Sequence, residues 1–369
     1  MNRERHGLRY DPGMSIRSII VGTGSHIPPV RVTNEAFLQH DFRDASGAPI
    51  GKSNAEILQQ FEAITGIRER RYVPDEVFAS DIAYEAAADA LASSGIDRES
   101  LDYLIVAHNF GDIRRGGRSD LVPALAARVK SRLQIETPRT VAFDLVFGCP
   151  GWLQGIIVAD SFIKSGAAKR VMVIGAETLS RISDPHDRDS LIYADGAGAT
   201  IVEAQESEEP SGILSHAARS DTLNHSSMLF MGPSYNEEVF LEALFLKMEG
   251  RKLYRYALQT VAGSMKQCLD GAGVTLGEVR KILLHQANGK MDEAIVAELY
   301  ALCDTEQPPD VLPMTIGWLG NSSVATVPTL LDLVVKQRLE GHTVTSGDLI
   351  LFASVGAGMH INAFLYRLP

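Results

Sequence analysis

Short apolar, β-branched runs alternate along this chain with longer stretches of helical periodicity. The runs at 19–21, 104–106, 141–143, 171–174, 282–284 and 349–352 predict strands. The intervening patterns predict helices over 121–133, 153–165, 253–270, 291–303 and 324–340, and Ser80 reads as the cap of an Ala-rich helix that stops at Gly95. Strands separated by helices of ten or more residues make an α/β protein, its mixed or parallel sheet covered by helices on both faces. One break interrupts the alternation. The stretch 203–212, EAQESEEPSG, is acidic and aperiodic, and predicts a surface link between an N-terminal half (16–203) and a C-terminal half (212–369). Each half then holds a strand-to-helix unit with a polar residue at its turn, Cys149 in the first and Asn321 in the second. That order suggests duplication. Residues 1–15 read as a polar tail ahead of the first strand, with Met14 an equally good start.

Length and charge narrow the function. With 369 residues, 45% of them apolar, the chain has room for two core-forming halves or one large layered unit. Its net charge of −11 argues against nucleic acid as the main partner, since binding a phosphate backbone rests on an excess of Lys and Arg. No run of about eighteen apolar residues predicts a membrane span. Cys149, Cys268 and Cys303 are too few and too scattered for a disulfide framework, and the expected compartment is the reducing cytoplasm.

Four local patterns carry candidate chemistry. In VAFDLVFGCPGWLQG an apolar strand runs into Gly148, Cys149, Pro150 and Gly151, and a helix pattern follows. Small residues permit a tight turn there, and a thiol at a helix N-terminus is expected to have a lowered pKa and to act as a nucleophile. A buried structural thiol fits the position equally well. KILLHQANGKM puts His285 at the end of an apolar strand with Asn288 three residues on. WLGNSSVAT puts Asn321 in a turn before a helix, where a plain cap is the competing reading. FASVGAGMHINAFL is a strand broken at Gly356, Ala357 and Gly358, a break that suits close backbone approach to a ligand, an oxyanion N–H, or a simple bulge.

Taken in order, these patterns resemble the thiolase-fold condensing enzymes, most closely the β-ketoacyl-acyl carrier protein synthase III group. TGIRERR, the cysteine turn, IGAETLSR, DPHDR, YADGAGA, LKMEGRKLY, LHQAN, GNSS and the Gly-rich strand all carry the resemblance, which runs from about Ile16 to Leu368. It implies a duplicated five-layer αβαβα thiolase-like fold and a homodimer. It also implies an acyltransferase: Cys149 takes an acyl group from acyl-CoA or an acyl-carrier thioester, and malonyl-acyl carrier protein then loses CO2 and condenses with it. By the same resemblance His285 and Asn321 hold the malonyl thioester carbonyl, and the N–H groups of Cys149 and Ala357 form the oxyanion hole. Asn288, Arg188, Arg251 and Gly356 are the implied substrate contacts. Neither a metal nor a redox cofactor is implied.

Several positions depart from the family pattern. Gln60 and Ile64 stand where CoA-using members carry a Trp and an Arg, Asp189 replaces a usual Gly, and Arg251 replaces a common Asn. An acyl donor presented on a carrier protein fits these changes. The basic residues Lys290, Arg114, Arg115 and Arg118 are the candidates to receive an acidic acyl carrier protein; for the three arginines an ordinary solvated loop is the competing reading. Fatty-acid or specialised lipid and polyketide synthesis is the expected setting. The alternatives are an enzyme joining two acyl or ketoacyl units in secondary metabolism, and an inactive partner subunit of a heterodimer. An intact Cys, His and Asn set argues against the last.

Overall fold

The computed structural model describes residues 15–114, 118–238 and 243–369. The tail expected at 1–15 therefore lies outside the described residues except for Ser15, and so does Arg115. Two sheets organise the chain. The first takes β1 (Ser15–His26), β2 (Tyr103–His108), β3 (Val141–Val146), β4 (Arg170–Thr178) and β5 (Asp195–Ser207) in the order β1-β5-β4-β2-β3. The second takes β6 (Gly212–Ser220), β7 (Val279–Leu284), β8 (Leu349–Gly356) and β9 (His360–Arg367) in the order β6-β9-β8-β7. Their pairing follows one scheme. In the first sheet β2 and β4 are parallel while β4–β5 and β5–β1 are antiparallel; in the second β7 and β8 are parallel while β8–β9 and β9–β6 are antiparallel.

The helices that matter for the site are α1 (Asn54–Thr65), α2 (Ala79–Ser94), α3 (Leu125–Arg132), α4 (Gly151–Lys164), α5 (Gly250–Ala272), α6 (Gly289–Leu302) and α7 (Thr326–Val335). They fill three layers. Ala86, Ala90 and Val129 of α2 and α3 cover one face of the first sheet at Val106 and Ile174. Val261, Met265 and Leu299 of α5 and α6 cover the outer face of the second sheet at Leu351 and Ile361. Between the sheets, Trp152 and Ile156 of α4 pack with Leu330 and Val334 of α7 against Val173 from one sheet and Phe352 from the other. The result is helix, sheet, helix, sheet, helix. Among the described residues no helix is long and apolar enough to cross a membrane.

Local chemistry explains where the elements differ from the sequence pattern. Ser80 does not cap α2. Its N–H and hydroxyl both donate to Asp112 at 2.8 and 2.7 Å, and the Phe78 N–H instead donates to Asp81, three residues on. The helix expected from 121 starts at Leu125, because the residue before Pro123 disfavours helical geometry and the Asp144 carboxylate on β3 receives the Leu125 and Ala126 N–H groups at 2.7 Å each. The acidic stretch is only partly a link: β5 continues to Ser207 and β6 starts at Gly212. β5 itself is hidden in the sequence by its small residues. They are required by packing, since a Cβ on Gly198 would lie 2.7 Å from Pro328 Cβ. α1 has no strong apolar run, yet the S-x-x-E signature at Ser53 and Glu56 marks its start.

Candidate active site

Each half delivers its polar residues to one cavity of about 1070 Å³. β3 leads through Phe147 into a turn at Gly148, whose φ of +72° suits glycine, and α4 begins at Gly151. Cys149 is thereby held at the strand-to-helix corner. Trp152, buried between the sheets with its ring centroid 6.1 Å from Phe352 and 6.0 Å from Phe364, fixes the helix behind it. From the other half, the hairpin turn after β8 presses onto the same corner. A Cβ on Gly356 would sit 2.6 Å from the Cys149 nitrogen, so the glycine is needed for the approach. The Gly-rich break thus serves close approach to the Cys149 corner, where the sequence suggested approach to a ligand. Gly358 completes the turn at φ +79°.

The Ser323 hydroxyl donates to the Cys149 sulfur at 3.3 Å, and the backbone of Cys149 and of Ala357 also favours the thiolate. Despite these donors, burial pushes the thiol up to about 11, and the nearby Glu177 carboxylate adds to the rise. The lowered pKa expected from the helix start is therefore overturned: removal of the thiolate from water outweighs the helix contribution of at most about 2 kcal/mol. His285 follows β7, its N–H donating to the Ala353 carbonyl at 2.9 Å. Its neighbour Gln286 locks the segment by accepting the Thr315 and Ile316 N–H groups at 2.8 and 2.9 Å. Burial lowers the imidazole to about 4, and its Nδ1 is enclosed without a partner among the described residues. The ring is neutral at pH 7.

Asn321 joins the halves. Its N–H donates to the Ile192 carbonyl at 2.9 Å and its carbonyl accepts the Ala194 N–H at 2.8 Å. Asn321 Oδ1 accepts the Ser323 N–H at 2.8 Å, which supports the left-handed φ of +54° at Ser323 and leaves the amide Nδ2–H₂ as the donor for a ligand. Asn288 also lines the cavity while its side chain caps α6 by accepting the Met291 N–H at 3.2 Å. Arg188 and Arg251 line the cavity, and so do Lys52 and Arg255, two cations that sequence reasoning missed because only the fold brings them to this cavity.

The remaining cations lie apart. Lys290 is exposed on α6 outside the cavity lining. Arg114 pairs with Asp120 at 2.8 Å and stacks over Phe78 with its guanidinium carbon 4.5 Å from the ring centre, in a hairpin that also holds Arg118. Among the described residues of the segment 110–120, only Phe110 lines the cavity. The structure also brings Glu177, from within IGAETLSR, close to the cysteine, two hydrogen-bonded residues removed through Asn109 and Ser323.

Comparison with known proteins agrees with this geometry. The profile of the 3-oxoacyl-[acyl-carrier-protein] synthase III family matches residues 143–222, and that of its C-terminal part matches 269–368. A β-ketoacyl-[acyl-carrier-protein] synthase III of Erythrobacter litoralis is 34% identical over 356 residues, 95% of this chain and 99% of the relative. The chain belongs to the β-ketoacyl-acyl carrier protein synthase III family. A Bradyrhizobium synthase III is 32% identical over 360 residues, covering 96% of this chain and all of that one. The crystal structure of the Aquifex aeolicus synthase III aligns with a TM-score of 0.77 at 29% identity, over 95% of this chain and 99% of its own. The five layers are thus the thiolase-like fold, and the protein is a condensing acyltransferase of the synthase III type.

Proposed function

We propose that Cys149 is the acyl acceptor and that His285 and Asn321 stabilise the enolate of a malonyl thioester. In the first step the Cys149 sulfur attacks an acyl thioester, a new C–S bond forms, the old one breaks, and the thiol proton leaves with the released carrier thiol. In the second step the malonyl unit loses CO2. The electron pair of the broken C–C bond passes into an enolate, which attacks the acyl carbon and expels the cysteine thiolate. The observation that carries this reading is the meeting, in one cavity, of a thiol that receives the Ser323 hydroxyl with the neutral side chains of His285 and Asn321 from the opposite half. Neutral donors suit an enolate, because they stabilise the charge that develops without first paying for a salt bridge. Thioester energy and CO2 release drive the reaction.

The cavity mouth supports a donor and acceptor presented on acyl carrier protein. Lys52 donates to Gln60 at 2.9 Å, and Ile64 is 53% exposed, so neither position offers an aromatic face or a free cation to an adenine ring. Lys52, Arg188, Arg251 and Arg255 give this opening a positive lining on a protein of net charge −11, with Lys290 adding charge on α6. A homodimer is supported by the edge strand β3, whose Val141 and Val146 are 49% and 63% exposed.

The test separates the two steps. Incubation with acyl-carrier thioesters should leave acyl mass on Cys149, and CO2 release should follow with malonyl-carrier protein. Asn321→Ala should keep acylation and lose condensation by about 10²- to 10³-fold, the usual effect of removing one oxyanion donor. Condensation at the wild-type rate in that variant would refute the assignment.

A further inference from the structure

Behind the thiol lies a row of polar groups that the condensation reaction does not require. Glu177, near the end of β4, is 1% exposed. Its Oε2 accepts the Asn109 backbone N–H at 3.0 Å and the Asn109 side-chain Nδ2 at 2.6 Å. The same Nδ2 donates to the Ser323 hydroxyl oxygen at 3.1 Å, and that hydroxyl donates to the Cys149 sulfur at 3.3 Å. The polarity of this row is fixed. An amide nitrogen only donates, so it occupies the Ser323 oxygen as acceptor and turns the hydroxyl proton toward sulfur. An accepting oxygen is needed at the far end, because it is what holds the Asn109 amide in this orientation.

We propose that Glu177 is a positioning residue for the nucleophile: it clamps Asn109 and, through Asn109, aims the Ser323 hydroxyl at the Cys149 sulfur. Rows of donors ending on sulfur favour the thiolate. The clamp carries an opposing cost, since the negative charge of Glu177 itself works against a thiolate nearby. Two effects of opposite sign therefore reside in one side chain, and they can be separated by substitution. The other titratable groups facing Glu177 are His108 and Asp195. His108 accepts the Gly111 N–H on Nδ1 at 3.1 Å and meets Asp144 through Nε2 at 3.0 Å. Asp195 is occupied by the Ser180 and Val73 N–H groups and the Ser180 hydroxyl. Burial also raises the Glu177 carboxyl, to about 7.

The inference rests on reading Cys149 as the acyl acceptor, and its test uses a reagent that needs no acyl substrate. The rate of iodoacetamide alkylation at Cys149 is measured by peptide mass spectrometry from pH 6 to 10 in the full-length protein. Ser323→Ala should raise the apparent thiol pKa and slow alkylation at pH 7.5 by about tenfold, one lost charge-assisted hydrogen bond. Glu177→Gln keeps an acceptor for Asn109 and removes the charge, so the profile should move to lower pH and the rate at pH 7.5 should rise several-fold. Glu177→Ala, which releases Asn109, should leave the rate below that of Glu177→Gln. Equal profiles for wild type, Ser323→Ala and Glu177→Gln would overturn the proposal, as would a shift to higher pH in Glu177→Gln. Should Glu177→Ala not fold, the opposed shifts of the other two variants still decide. Failure of every acyl thioester to modify Cys149, with these alkylation shifts intact, would refute the condensing role and leave the positioning role standing.

Discussion

Replacing Gly356 with alanine tests the site at its tightest contact. The backbone there is extended, at φ −169°, so the substitution introduces no left-handed strain and its effect is one of contact alone. A Cβ would lie 2.6 Å from the Cys149 nitrogen and 2.8 Å from both Cys149 Cβ and Pro150 Cδ. All three are backbone or rigid atoms. Reaching ordinary contact near 3.4 Å requires the cysteine corner and the Ala357 turn to separate by about 0.8 Å, an overpacking that typically costs about 1–3 kcal/mol. The Ala357 backbone, which favours the Cys149 thiolate, travels with that turn and is displaced from the sulfur. Misplacement on this scale typically costs about 10²-fold in rate. Acyl transfer to Cys149, followed by intact mass under single-turnover conditions, should therefore slow by about 10²-fold, with thermal unfolding a few degrees lower. An acylation rate within twofold of wild type would refute the claim that the Gly356 to Ala357 turn holds the reacting thioester.

Two further outcomes follow from the electrostatics of the cavity. Because burial holds the His285 imidazole at about 4, its ring resonances should not titrate between pH 5.5 and 8, and condensation should not fall on acidification through that range by protonation of this residue; a nuclear magnetic resonance midpoint of 6 to 7 would contradict the neutral-donor role. Arg188→Glu combined with Arg251→Glu reverses charge at the mouth, and should raise KM for malonyl-carrier protein by about tenfold with kcat nearly unchanged, an effect that added salt should diminish; a loss confined to kcat would place these residues in the chemistry and not in docking.

The readable parts of this protein were those whose cause is local. Gly148 and Cys149 announce a strand-to-helix corner because only a few residues fit such a turn, and the apolar run ending at His285 announces a strand end. Asn321 was ambiguous by itself, since a cap and a ligand donor ask for the same residue; the structure shows its oxygen taken by Ser323 N–H and its nitrogen left over. Glu177 was illegible for the opposite reason. It lies near the end of a strand of almost wholly buried residues, and nothing in IGAETLSR says that its carboxylate meets Asn109, just past the end of β2. The sign of the thiol's pKa shift failed because the local argument counted the helix start and could not count the walls of the cavity, which come from both halves.

Those walls also give the net charge its meaning. A thiol near 11 and an imidazole near 4 leave Cys149 and His285 uncharged at rest, so the proposed reacting centre is built from dipoles, among them the Ser323 hydroxyl and the Asn321 amide. In a low-dielectric site such dipoles cost little to bury and act most strongly on a charge that appears during reaction. Fixed cations there would bind the malonyl carboxylate and oppose its loss as CO2. The structure instead places Lys52, Arg188, Arg251 and Arg255 along the cavity lining, on a chain that is otherwise acidic. Attraction of an acidic carrier and stabilisation of an enolate make conflicting demands on positive charge, and the proposed roles meet both by assigning cations to docking and neutral donors to the reacting carbon.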